Sequence, residues 1–121
     1  MKAVVCHHGD FEVQDVAEPE PGKGQILLNV LRCGICGSDL HARHHADELA
    51  EATERVGYPH IMRSHEHVVL GHEFVGEIAD YGAKTHRRWK PGKRVVAMPM
   101  RRNNGVAHLT GLSSQAPGAY A

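Results

Sequence analysis

Short runs of alternating apolar and polar residues, parted by glycine- and proline-rich turns, organise most of the chain. "KAVVCH" (2–7) is a β-branched run and "FEVQDV" (11–16) alternates with period two; the "HGD" between them predicts a tight, hairpin-like turn. "EPEPGKG" (18–24) cannot continue a strand, because Pro19 and Pro21 lack donors and the glycines break regularity. "QILLNVLRCGI" (25–35) predicts a longer central strand. "HEFVGEIADYG" (72–82) and "KRVVAMP" (93–99) predict two more, with the turn "KPGK" at the start of the last.

One stretch switches to the helical period. In "ADELAEATERVG" (46–57), Ala46, Leu49, Ala50, Thr53 and Val56 fall on one face. Asp47 and Glu48 suit the positive end of the dipole, and Gly57 followed by Pro59 is a stop. A very short helical turn is expected after Gly37, with Ser38 as its N-cap. Residues 100–117 read as irregular, and "GAYA" (118–121) as the opening of another strand, which predicts that the chain is a fragment. Many short strands and few helices together predict a mainly β fold, a small and partly open barrel.

Composition narrows this picture more than it extends it. The 121 residues suffice for one domain with one modest core. Lys+Arg 14 balance Asp+Glu 14, so nothing points to nucleic acid or an anionic membrane as a partner, and "HRRWKPGKR" (86–94) reads as a solvated turn. No apolar run approaches the ~20 residues of a membrane span. The N-terminus lacks the apolar core of a secretory signal, and three cysteines make no disulfide framework, so a cytoplasmic location is expected. The outlying figure is His 11, which brings metal chemistry into view.

The candidate donors lie in two short stretches. Zinc is held by thiolate and imidazole, and a catalytic site leaves one position open. Cys36 occupies a glycine-flanked turn before the expected helical turn, where backbone N–H groups and the dipole favour an anion. His72 and Glu73, in "LGHEF", open a strand from which side chains can project off a barrel rim. A ligating imidazole gives its second N–H to a carboxylate, and Asp39 is at hand. Ser38 and His41 could carry a proton from a metal-bound oxygen towards solvent.

"GICGSDLH" (34–41) followed by "GHEFVGEI" (71–78), with "PGKRVV" and "PGAYA" further on, resembles the catalytic domain of zinc-dependent medium-chain alcohol dehydrogenases. The resemblance runs over nearly the whole chain. It implies a GroES-like β-barrel, followed by a Rossmann domain that binds NAD or NADP and is absent from these residues. It also implies roles: Cys36 and His72 as catalytic zinc ligands, and Glu73 as a glutamate beside the metal that can ligate transiently. Ser38 would take the alcohol proton, Asp39 would be the carboxylate behind the ligands, and His41 the end of the proton relay. The implied reaction interconverts an alcohol with an aldehyde or ketone, by a full-length homo-oligomer.

Three departures from that pattern carry expectations. The family's third zinc ligand and nucleotide-binding glycine loop lie beyond residue 121, so the chain alone should bind zinc weakly and lack dehydrogenase activity. Residues 100–117 hold no cysteine, which removes the four-cysteine structural zinc of many relatives. The segment from Ala42 to Leu70 is long for the family and is expected to be a lid, a substrate-pocket insertion or an oligomer contact.

Plainer roles are expected elsewhere. Cys33 reads as a small buried residue at a strand end, Cys6 as a core cysteine and Trp89 as a core aromatic anchoring a turn. His44, His45, His60, His65 and His67 read as solvated loop residues. Two other functions compete: a stand-alone barrel used as a binding or assembly module, and a thiol–disulfide protein using Cys33 and Cys36. The module has no need of Cys36, Ser38, Asp39, His41, His72 and Glu73 together, and no βαβ unit is visible to seat a redox cysteine pair.

Overall fold

Strand alternation near the N-terminus sets the first sheet of the computed structural model, which describes residues 1–120. In β1 (Lys2–His7) Ala3 and Val5 turn inward, while β2 (Asp10–Asp15) pairs with it in antiparallel register from Lys2–Asp15 to His7–Asp10. The connecting residues are His8 and Gly9, both at positive φ (49° and 81°), the conformation a two-residue hairpin turn requires. Arg43 ties this turn down: its Nε donates to Gly9 O at 2.5 Å, and its guanidinium lies 4.8 Å above the Phe11 ring.

The central strand, β3 (Ile26–Gly34), leads into α1 (Gly37–Arg55), β4 (Val68–Val69) and β5 (Glu73–Tyr81). β6 (Arg94–Val96), β7 (Met100–Asn103) and β8 (Val106–Leu109) follow. The strands form three antiparallel sheets, ordered β2-β1-β4, β3-β5-β6 and β7-β8, that do not close on one another. The fold is mainly β and partly open, as the patterning predicts.

Several expectations need correcting. The helical turn after Gly37 is longer than expected and runs up to the second helix, the two meeting within α1 at a kink at His45, whose φ of −131° and ψ of 32° leave the helical region. Cys36 occupies the N-cap position expected for Ser38. Trp89 is 43% exposed, so it anchors no core; its carbonyl instead accepts from the Tyr81 hydroxyl. Residues 100–109 are a hairpin, turned at Asn104 and Gly105 with φ of 48° and 84°. Residues 118–120 form no strand, although their backbone bonds to residues 69–71; Ala121 lies outside the described residues.

The 42–70 segment supplies the core instead of extending as a lid. Ala42, Ala46 and Ala50 on α1 pack with Cys6, Ile61, Met62, Val68 and Leu70, all buried. Small alanines let the helix approach closely, and the larger partners come from the loop after it. Gly57, at φ 86°, ends the helix where a β-carbon would be strained, with its N–H bonded to Glu54 O at 2.9 Å. Asp47 fastens the loop to the helix by accepting from Ser64 N (3.0 Å) and Ser64 Oγ (2.5 Å).

Candidate metal centre

Antiparallel pairing brings two distant stretches of chain together. β3 and β5 pair antiparallel, through two register shifts, until Gly34 faces Glu73, where one strand ends and the other begins. Cys36 lies two residues beyond the end of β3, and His72 one residue before the start of β5. Both therefore emerge from the same edge of the sheet. The Cys36 thiol, one His72 ring nitrogen and a Glu73 carboxylate oxygen lie within 4.8 Å of one another. The other three site residues predicted from the sequence, Ser38, Asp39 and His41, ride on the first turns of α1.

Asp39 is the hub of the arrangement. At 1% exposure it is the most buried charged side chain among the described residues. Its Oδ2 accepts from the Cys36 N–H at 3.0 Å, the return arm of a capping box that also fixes the helix start. Its Oδ1 lies 3.1 Å from His72 Nδ1. A carboxylate only accepts, so this contact assigns the proton to Nδ1 and leaves the Nε2 lone pair free. Ser38 Oγ stands 3.2 Å from that Nε2.

The arrangement fits a zinc ion by the chemistry of its donors. One thiolate sulfur, one imidazole nitrogen oriented by a carboxylate, and one carboxylate oxygen are a borderline-soft set short of four. A cleft of about 570 Å³ opens beside it, lined by Arg32, Gly34, His72, Glu73, Phe74 and Val96. Glu73 is exposed at this opening, whereas the His72 side chain is only 14% exposed.

His41 stands apart from the cluster. It is exposed one helical turn beyond Ser38, its ring 4.9 Å from that of His45, and no hydrogen bond among the described residues joins it to Ser38. Cys33, next to last in β3, is half-buried, its thiol pushed up by burial and then by the Asp39 charge. That is the reverse of what an exchanging thiol needs. All three cysteines are free.

Sequence patterning missed one participant. Tyr120 places its hydroxyl 2.9 Å from Asp39 Oδ2 and 3.2 Å from Gly34 O. Burial, then the adjoining Asp39 carboxylate, push this phenol well above its ordinary range. Nothing in the spacing of "PGAYA" relative to residue 39 signals the contact, which only the folded chain creates. Histidines beyond the site pair with each other: His7 stacks on His67 at 3.9 Å, and His60 lies 5.0 Å from the buried His108.

A family model described as the alcohol dehydrogenase GroES-like domain matches residues 22–121. Among curated proteins, the chain is 36% identical over 100 residues to erythritol/L-threitol dehydrogenase of Mycolicibacterium smegmatis, covering 80% of the chain and 26% of that protein. It is 34% identical over 117 residues to (R,R)-butanediol dehydrogenase of Bacillus subtilis, covering 95% and 32% respectively. Among solved structures, the alcohol dehydrogenase TADH from Thermus sp. ATN1 superposes with a TM-score of 0.74 at 26% identity, over all of this chain and 36% of that one. A Sinorhizobium meliloti protein solved with NADP bound gives 0.71 at 27% identity, over 98% and 33%. The chain thus spans about a quarter to a third of the length of these relatives.

Proposed function

Because the chain belongs to the alcohol dehydrogenase GroES-like domain family, we propose that it is the zinc-holding catalytic domain of a longer NAD(P)-dependent enzyme interconverting an alcohol with an aldehyde or ketone. The observation that carries this reading is the convergence of Cys36, His72 and Glu73 at the meeting point of β3 and β5. Small-molecule dehydrogenases among the relatives support the substrate class, and the NADP-bound relative supports a nicotinamide cofactor. The cofactor's own domain, homo-oligomeric assembly and a cytoplasmic setting belong to the full-length protein in this reading.

Cys36 Sγ and His72 Nε2 would hold the zinc, with Glu73 as a third donor that can exchange. Bound there, zinc supplies Lewis acidity towards a substrate oxygen. The protein's own groups do the remaining work. Asp39 holds the proton on His72 Nδ1 and so keeps Nε2 free to ligate. Ser38 Oγ, adjoining His72 Nε2, stands where it can take the proton of a substrate hydroxyl. His41, exposed one turn further on, passes that proton to solvent through a bridging water or a small rotation of either side chain. Phe74, Val96 and Pro99 line the cleft that His72 and Glu73 share and give it an apolar wall.

Zinc titration of the chain tests the reading. Weak binding with one equivalent is expected, lost on Cys36→Ser and on His72→Ala while circular dichroism shows both variants still folded. Binding that survives Cys36→Ser would place the metal elsewhere.

A further inference from the structure

We propose that Tyr120 is a positioning residue for this centre: its hydroxyl locks the Asp39 carboxylate in the orientation that presents His72 Nε2 to a metal. This rests on the zinc reading above and extends it to a residue well away in sequence from the ligands.

The geometry is that of a carboxylate held at three points. Oδ1 is committed to His72 Nδ1 at 3.1 Å, and Oδ2 to both the Cys36 N–H at 3.0 Å and the Tyr120 hydroxyl at 2.9 Å. The Tyr120 hydroxyl has one proton and two acceptors in reach. The carboxylate is the nearer and the charged one, so it takes the proton in preference to Gly34 O at 3.2 Å. With a single donor on each oxygen the carboxylate can still tilt about its Cβ–Cγ bond; the Tyr120 hydroxyl, a second donor on Oδ2 from a distant segment, restrains the plane. A fixed plane fixes the imidazole proton on Nδ1, and that tautomer leaves Nε2 able to ligate.

Tyr120 is itself held against the segment that leads from β4 into His72. Its N–H donates to Leu70 O at 3.1 Å, and its carbonyl accepts from Val4 N at 2.7 Å. Its ring fills the space above Gly71, where an added β-carbon would fall 2.6 Å from the ring and 2.9 Å from Cys33 Sγ. Two residues earlier, a β-carbon on Gly118 would fall 2.2 Å from Leu70 O. Segments 118–120 and 69–71 are thus bonded and packed against each other, which places the hydroxyl at Asp39. Core filling alone would account for the ring but not for a hydroxyl directed at the one carboxylate that orients a ligand.

Tyr120→Phe keeps the ring and deletes the aim. In the metal-free chain at pH 8, nitrogen-15 NMR of His72 should show a single Nδ1–H tautomer in the wild type and a mixture in the variant. Cobalt(II) affinity, read by competition titration, should fall by about tenfold, the lower end of what partners behind metal ligands contribute. In an Asp39→Asn background the same substitution should add nothing further, because Tyr120 acts through Asp39. An unchanged tautomer, or a full additive loss in that background, overturns the proposal. If the wild-type chain binds no cobalt through Cys36, the zinc reading fails, and the His72 tautomer still decides the role of Tyr120. Should Tyr120→Phe prove unfolded by circular dichroism, the wild-type hydroxyl proton decides. It should exchange slowly and shift on Asp39→Asn; fast exchange overturns the proposal.

Discussion

The two halves of α1 do different work with different chemistry. Before the bend at His45, the helix offers its N-terminus, and the buried Asp39 gathers three polar partners at distances of 2.9 to 3.1 Å. After it, Ala46 and Ala50 pack against Ile61, Met62 and Leu70. In the first half, where only Ala42 joins the core, the polar groups around Asp39 are placed by directional bonds, so removing one partner redirects the others. In the second half placement comes from close packing, so volume matters and direction does not. One helix thus couples a site that depends on aim to a core that depends on fit.

Four substitutions would break or sharpen that contrast. The largest effect is expected for Met62→Ala, a 1% exposed core side chain. It should reduce unfolding free energy by about 3 kcal/mol in a denaturant melt, while zinc affinity of the folded fraction stays unchanged. A parallel loss of affinity would show that the halves are not separable. Gly71→Ala comes next and should damage both regions, because φ is 96° and the new β-carbon meets Tyr120. A loss of about 2 kcal/mol together with weaker zinc binding is expected.

A smaller effect concerns pH. Two hydrogen bonds from Ser64 hold the Asp47 carboxyl below its ordinary range. Because the folded value is depressed, the stabilisation is present above the unfolded value of about 4 and is lost as pH falls through the folded one. Asp47→Asn should therefore flatten the acid limb of the stability profile, seen in melts taken below pH 4, and leave the site untouched. The smallest effect is expected for His41→Ala. Competition titration should find zinc affinity unchanged, since His41 works on the proton and touches no ligand; a clear loss would draw it into the metal centre.

The sequence made the directional half legible and left much of the packed half hidden. Cys36, Ser38, Asp39, His41, His72 and Glu73 sit in two compact motifs; the pairing that brings the end of β3 to the start of β5, with its two register shifts, is legible only in the fold. The core role of 42–70 was hidden because alanines on a helix signal close approach only once their partners are known. Ile61 and Met62 come from a loop with no periodicity at all. The β7–β8 hairpin carried a readable sign, Asn104–Gly105, in a stretch otherwise taken as irregular. The contact between Tyr120 and Asp39 spans 81 positions, and no local pattern encodes it.

X-ray absorption at the zinc edge, on the chain loaded with one equivalent, tests the metal centre most directly. A sulfur neighbour at about 2.3 Å with nitrogen and oxygen at about 2.0–2.1 Å is expected, the sulfur vanishing in Cys36→Ser. Zinc surrounded only by nitrogen and oxygen in the wild-type chain would contradict it.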